Sequence, residues 1–326
     1  MSNSDAALTL PMHEDRRVGC VVFGVIEVLL GAAAALMALL TLFVASIASP
    51  DAGFSSVLSS LVFSALLAVS FIWLGIGSIL CRRWARTLLL ILAWSWLVAG
   101  LTTVAVFAVA LPQMASVLGL GAQGLVAMLV VFAALCLPLV VIPAAMVLFY
   151  QSRHVQATCE ARDPRPRWTD ACPLPVLTTA LWFALGAVSV APVIFGGSAF
   201  VPLFGQLVSG RPAALLLLAG AGISVWLAWG FLRLQRVALW ASLALTLLAS
   251  ASATVTFTRV DFLEVYRLMG YPQDQIDAIR QMGLLGGQTM AWMMALLGIA
   301  TCAFLVWLKK FFPAPRSSTQ RRSHIA

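Results

Sequence analysis

The sequence predicts an all-α, polytopic transmembrane helical bundle of eight spans in two parallel four-helix repeats, and three observations predict it. The 326 residues are 62% apolar and only 10% charged, with a mean hydropathy of +1.00, whereas soluble domains are nearly half apolar and a quarter charged. Apolar runs long enough to cross a hydrocarbon core of about 30 Å, which takes about 20 helical residues, occur eight times. Sixteen of the twenty Lys and Arg fall in five short polar segments alternating with sparsely charged ones, the distribution of cytoplasmic loops. The net charge of +8 therefore reads as topology, and no nucleic-acid partner is expected.

Residues 1–18 form a cytoplasmic N-terminal segment ending in Arg16 and Arg17. The first unit, residues 19–150, holds spans Gly19 to Ile47, Val57 to Leu80, Thr87 to Leu111 and Gly124 to Tyr150. Its first span exceeds the apolar core of a signal peptide, about 7 to 15 residues, so it is expected to remain as an anchor. Arg82, Arg83 and Arg86 separate the second span from the third, and Pro138 and Pro143 interrupt the fourth, where a packing kink is expected. Residues 151–173, QSRHVQATCEARDPRPRWTDACP, read as a solvated strap on the membrane surface touching anionic headgroups. Pro173 and Pro175 then open the fifth span, where a missing amide proton costs nothing.

The second unit, residues 174–310, holds spans Leu174 to Phe195, Ala213 to Leu232, Val237 to Phe257 and Gly287 to Leu308, with Arg233 and Arg236 between the sixth and seventh. Residues 259–286 are expected to form an outer amphipathic hairpin. Phe262, Val265 and Leu268 or Met269 face one way, and Pro272 opens a second helix carrying Ile276, Ile279 and Met282. Residues 311–326 form a basic cytoplasmic tail: Arg316, Arg321 and Arg322 continue a run that begins at Lys309 and Lys310. Both termini are expected in the cytoplasm, since only Arg211, Arg259, Arg267 and Arg280 lie on the other side. Arg outnumbers Lys eighteen to two and no Asn-x-Ser/Thr sequon occurs, which fits a bacterial inner membrane.

The repeat is read from a shift of 153 residues, which superposes Trp73 on Trp226, Leu74 on Leu227, Gly77 on Gly230, Arg83 on Arg236, Ala85 on Ala238 and Thr103 on Thr256. Four spans per unit return the chain to its starting side, so the halves would be parallel copies. Inverted repeats need an odd count.

Little chemistry is on offer with three His, a single Asn and twelve acids. No His lies in a span, so a bis-His haem site cannot be built. H-E-x-x-H, G-x-S-x-G and the phosphate-cradling G-x-x-x-x-G-K-[ST] do not occur. No catalytic, cofactor or metal residues are assigned. His154, Cys159 and Cys172, with Asp163 or Asp170, lack the paired spacing of structural zinc. Cys20, Cys81, Cys136 and Cys302 are expected to pack as small apolar groups. Gly31 to Ala35, Gly75 with Gly77, and Gly220 with Gly222 and Ser224 read as close helix approaches.

Glu27 is the one charged residue well inside a span, roughly 13 Å of helix rise beyond Val18. An ionised carboxylate there is expensive, so Glu27 should either carry a proton or engage a cation, or hydrogen-bond a Ser or Thr of a facing helix. Thr102, Thr103, Thr254 and Thr256 are the other polar candidates for a pathway. The first expectation is a non-enzymatic membrane protein whose role is assembly, scaffolding, self-association or contact with a membrane-protein partner through the linker and outer hairpin. The alternative is a small transporter or channel with Glu27 as its proton or cation site.

Overall fold

The computed structural model describes residues 15–47, 54–117, 119, 121–166, 168–170, 172–196, 199–269, 271, 273–281 and 287–312. The N-terminal segment to residue 14, Arg167, Pro272, Met282 and the basic tail from residue 313 lie outside the described residues. The chain divides into two compact units, Met1–Ala171 and Cys172–Ala326. Among the described residues the chain is all-α apart from one small hairpin, and eight helical stretches are long and apolar enough to cross a membrane, at the places the apolar runs predict.

The first unit runs α1 (Arg17–Ile47), α2 (Phe54–Ile79), α3 (Arg83–Val117), α4 (Ala122–Cys136), a π-helical turn (Leu137–Val141), α5 (Ile142–Gln151) and α6 (Arg153–Arg162). Large apolar side chains such as Leu36, Val69, Leu101, Val130 and Leu148 point outward and are exposed, the reverse of a water-soluble bundle. What is buried is small. On α1 the buried positions Cys20, Gly24, Glu27, Gly31 and Ala38 keep seven-residue spacing, a single seam against α2. Gly24 and Gly75 meet backbone to backbone there: a Cβ on Gly75 would lie 2.7 Å from the Gly24 carbonyl oxygen, and one on Gly24 equally close to the Gly75 oxygen. Gly31 meets Ile72 and the Ala68 carbonyl in the same way.

The prolines of the fourth span act as expected, with a particular geometry. Pro143 has no amide proton for the carbonyl four residues before it, that of Leu139, and the ladder widens into the π turn. The Leu139 carbonyl packs onto Gly100 of α3, where any side chain would collide with it.

The second unit runs α7 (Leu174–Phe195), β1 (Phe200–Leu203), β2 (Gln206–Ser209), α8 (Gly210–Leu232), α9 (Arg236–Arg259), α10 (Leu263–Leu268), α11 (Gln273–Gln281) and α12 (Gly287–Leu308). One core joins the start of α7, the end of α8, the start of α9 and the end of α12 through Val176, Leu227, Phe231, Leu239 and Leu308. At the opposite end Phe257, Val265, Met290 and Ala291 pack together with Phe200 and Leu207 of the hairpin. The segment between α9 and α12 holds the two short helices α10 and α11, with Leu263, Val265 and Ile276 buried.

The α2–α3 and α8–α9 turns share one geometry. Cys81 and Leu234 hold left-handed φ of 50° and 52°. The Arg82 amide donates to the Gly77 carbonyl at 2.9 Å, and the Gln235 amide to the Gly230 carbonyl at 2.9 Å. Gly77 faces the Ala85 methyl and Gly230 faces that of Ala238. These are the six-to-one bonds of a Schellman end, held here without the usual glycine.

Not every glycine pair marks an approach: Gly220 and Gly222 have nothing within 4 Å of a built Cβ, which corrects the sequence expectation for α8. Gly75→Ala is therefore expected to cost about 1–3 kcal/mol through overpacking, whereas Gly220→Ala should be neutral or raise stability by up to about 1 kcal/mol. Thermal unfolding in detergent micelles checks both; equal effects would contradict the seam.

Candidate functional site

The arginine-bearing ends of the first unit converge, and they decide what remains for Glu27. The Ser78 hydroxyl donates to the Cys20 carbonyl at 2.9 Å and accepts from the Tyr150 hydroxyl at 2.7 Å, which ties α1, α2 and α5 together. Arg86 donates from Nε to the Tyr150 carbonyl at 3.0 Å. The Ser78 and Tyr150 hydroxyls are thus engaged with one another.

Two turns along α1 from Cys20 lies Glu27, 1% exposed, with no hydrogen-bond partner for either carboxylate oxygen. It lines a cavity of about 130 Å³ whose other walls are apolar: Phe23 and Leu30 of α1, Phe71 of α2, Trp96 of α3, and Ile142 and Met146 of α5. The glycine seam explains the burial. With Gly24 and Gly31 flanking it, Glu27 is held where the two backbones run closest, and the side chains opposite it are aromatic or aliphatic. A buried carboxylate without a partner is costly, and what it lacks is a positive species or a donor.

The linker is not a free strap. Its helix α6 docks on the unit, burying Val155, Thr158, Cys159 and Asp163. Arg83 reaches Glu160 at 3.4 Å and Asp170 at 3.3 Å, while Arg82 lies 3.9 Å from Asp163. The Arg16 amide donates to the Thr158 hydroxyl at 3.2 Å. These charges are satisfied within the unit.

The Cys20 thiol hydrogen-bonds those of Cys81 and of Cys159 on α6. Donation from Cys20 pulls the Cys159 thiol below its ordinary range, and the bond to Cys20 together with burial pushes the Cys81 thiol up. Sequence spacing grouped Cys159 with Cys172 instead. Cys172 hydrogen-bonds the Leu232 carbonyl at 3.3 Å in the second unit, and among the described residues no three His, Cys, Asp or Glu are grouped to hold a metal ion.

The threonines of α3 do not join Glu27. Thr102 and Thr103 turn back onto the Val98 and Ala99 carbonyls of their own helix, each at 2.9 Å, and neither lines the cavity. Thr254 is half-buried on α9 of the second unit. Thr256, fully buried, is a peg: its hydroxyl accepts from the Gly205 amide at 3.0 Å and donates to the Ser252 carbonyl at 2.8 Å. Ser252 accepts from the Phe204 amide at 3.0 Å and donates to the Pro202 carbonyl at 2.9 Å. The β1–β2 hairpin hangs on this pair, and neither hydroxyl is spare.

Among the described residues the fold thus defines an α-helical chain with eight helices apolar enough to span a membrane, holding one orphaned carboxylate beside an aromatic cavity. No family model, curated protein or solved structure matches the chain.

Thr256→Val is expected to strand the Gly205 amide and cost about 1–3 kcal/mol. Thr102→Val should fall within about 0.5 kcal/mol of neutral, as for a surface substitution. Paired thermal melts measure the contrast, and a Thr102 cost as large as that of Thr256 would contradict these roles.

Proposed function

We propose that the protein is a multi-pass integral membrane protein, non-enzymatic, that acts as a small transporter or channel with Glu27 as its intramembrane proton or cation site. The observation that carries this reading is the Glu27 carboxylate itself, buried at 1% exposure with no hydrogen-bond partner, beside an apolar cavity that the residue helps to line. A Glu kept for packing would donate to a hydroxyl, yet Ser78 and Tyr150 bond each other instead. Placed in lipid, a bare carboxylate costs several kcal/mol, so a proton or a cation completes the site. The assembly role expected for the linker and outer hairpin has less support, because Val155, Cys159, Leu263, Val265 and Ile276 are all buried.

The setting we infer is a bacterial inner membrane with both termini cytoplasmic. In the second unit the helix ends beside Arg233, Arg236, Lys309 and Lys310 share one core through Phe231, Ala238 and Leu308, with Arg211 and Arg259 at the opposite helix ends, and this uneven split supports the orientation. Lys310 lies over the Trp307 ring at 3.8 Å, a basic and aromatic pairing suited to anionic headgroups. We also infer that the two units arose by duplication as parallel four-helix copies; the matching turns at Cys81 and Leu234, 153 residues apart, support this.

In proteoliposomes under an imposed proton gradient, Glu27→Gln is expected to lower proton or monovalent-cation flux at least about tenfold while the melting temperature stays within a few degrees, the order of 1 kcal/mol. Unchanged flux in the variant, or none in the wild type, would overturn the transport reading.

A further inference from the structure

We propose that the polar cavity between α3 and the linker helix α6 binds a phosphoethanolamine zwitterion, its phosphate on Arg86 and its ammonium at Glu160. The inference goes beyond the Glu27 site and takes from that reading only the membrane setting. The cavity, about 270 Å³, is lined by Arg83 and Arg86 of α3, by Gln156, Cys159 and Glu160 of α6, and by Asp170. Helix spacing assembles it. Arg83 and Arg86 stand three residues apart at the start of α3, and Cys159 and Glu160 follow Gln156 by three and four on α6, so each set shares one face.

Within this lining one donor edge and one acceptor are unspent. Arg86 gives Nε to the Tyr150 carbonyl, which anchors the guanidinium and leaves its two terminal nitrogens without a partner among the described residues. Glu160 receives Arg83 at 3.4 Å and Gln156 at 2.9 Å, both on Oε1, and Oε2 has no partner among the described residues. All three atoms keep accessible surface, because the buried unpaired side-chain atoms among the described residues are the Glu27 oxygens, Thr169 Oγ1 and Arg236 Nε. Arg86 and Glu160 share the cavity, yet the ion pair of Glu160 is with Arg83.

Those atoms select the ligand. The terminal edge of a guanidinium matches two oxygens of a phosphate or carboxylate. A simple anion seated there also meets the Glu160 and Asp170 carboxylates, and a simple cation meets both arginines. The lining balances two guanidiniums against two carboxylates, so a ligand with one charge of each sign finds a complement at each end. Size favours phosphate: an apolar cavity of about 150 Å³ holds benzene, so about 270 Å³ holds about ten heavy atoms. A small amino acid underfills it, and no aliphatic or aromatic side chain lines it to receive a larger one. The primary ammonium brings three N–H donors, one for Glu160 Oε2 and two for water. Arg83 opens an apolar stretch long enough to cross a membrane, which puts the cavity at the level of phospholipid headgroups.

The test uses the full chain in detergent micelles at one fixed pH. Native mass spectrometry measures retention of phosphatidylethanolamine, phosphatidylcholine and phosphatidylglycerol with identical acyl chains, and calorimetry measures the soluble diesters glycerophosphoethanolamine and glycerophosphocholine. Choline carries the charge without an N–H, and phosphatidylglycerol carries no cation. The ethanolamine forms are expected to bind about three- to tenfold more tightly than the choline forms, as one charge-assisted hydrogen bond to a half-exposed carboxylate implies. Glu160→Gln should erase that preference. Arg86→Lys keeps the charge but removes the fork, and should weaken every phosphodiester by at least about threefold. The Glu160 variant keeps the proposal testable should Arg86→Lys fail to fold.

A preference shown by the lipids alone assigns the cavity to membrane phospholipid, and one shown by the soluble diesters alone assigns it to a soluble phosphoethanolamine; either supports the proposal. Phosphatidylglycerol held as tightly as phosphatidylethanolamine, choline held as tightly as ethanolamine, or a preference that survives Glu160→Gln would overturn it. Each of these results leaves Glu27-dependent flux unchanged, so the two sites fail separately.

Discussion

The close crossing of α1 and α2 is the constraint on which the first unit depends. Helices with apolar outer faces gain nothing from hiding those faces from lipid, so they associate through contacts that only close backbones permit. Gly24 against Gly75, and Gly31 against Ile72, provide that approach. The seam has a consequence for chemistry, because the one carboxylate on it sits between the two glycines. Bringing the backbones together removes Glu27 from solvent, and the α2 side chains that face it offer no oxygen or nitrogen to pair with. An orphaned acid and a tightly packed seam are one feature.

At the arginine-bearing end the first unit is stitched by polar contacts, from Tyr150 through Ser78 to the Cys20 carbonyl and from Arg83 to Glu160 and Asp170. The second unit fills the corresponding place with Phe231, Leu308 and Phe312. Similar turns at Cys81 and Leu234 therefore support different interiors: the first unit buries the Glu27 carboxyl beside an apolar cavity, and the second packs aliphatic and aromatic side chains there and anchors a β-hairpin at its far end. If the halves are copies, the divergence lies in their interiors.

Eight apolar helices were legible in the sequence because length and hydropathy decide them locally. Pro138 and Pro143 announced the break in the fourth span for the same reason. Long-range pairings were hidden. Nothing in FVPLFGQLVS marks a hairpin held by Ser252 and Thr256, some fifty residues away, and the Thr256 hydroxyl read as a pathway group although it is held by the hairpin. The two turns escaped notice because Cys81 and Leu234 occupy positions where a glycine is the usual signal. The charged linker looked solvated, since sequence cannot say that Arg82 and Arg83 lie under it. One signal was available and went unused: Cys20, Gly24, Glu27 and Gly31 step by four, three and four, which places Glu27 on the small-residue face.

The central claim is that the Glu27 carboxyl is buried without a hydrogen-bond partner in apolar surroundings. Reaction of the membrane-embedded protein with diisopropylcarbodiimide, a lipophilic reagent for carboxyl groups in apolar surroundings, followed by peptide mass spectrometry, tests it directly. The account predicts an adduct on the peptide carrying Glu27, formed in preference to adducts at exposed Glu264 and Asp277. A Glu27 peptide left unmodified while those exposed acids react would contradict it.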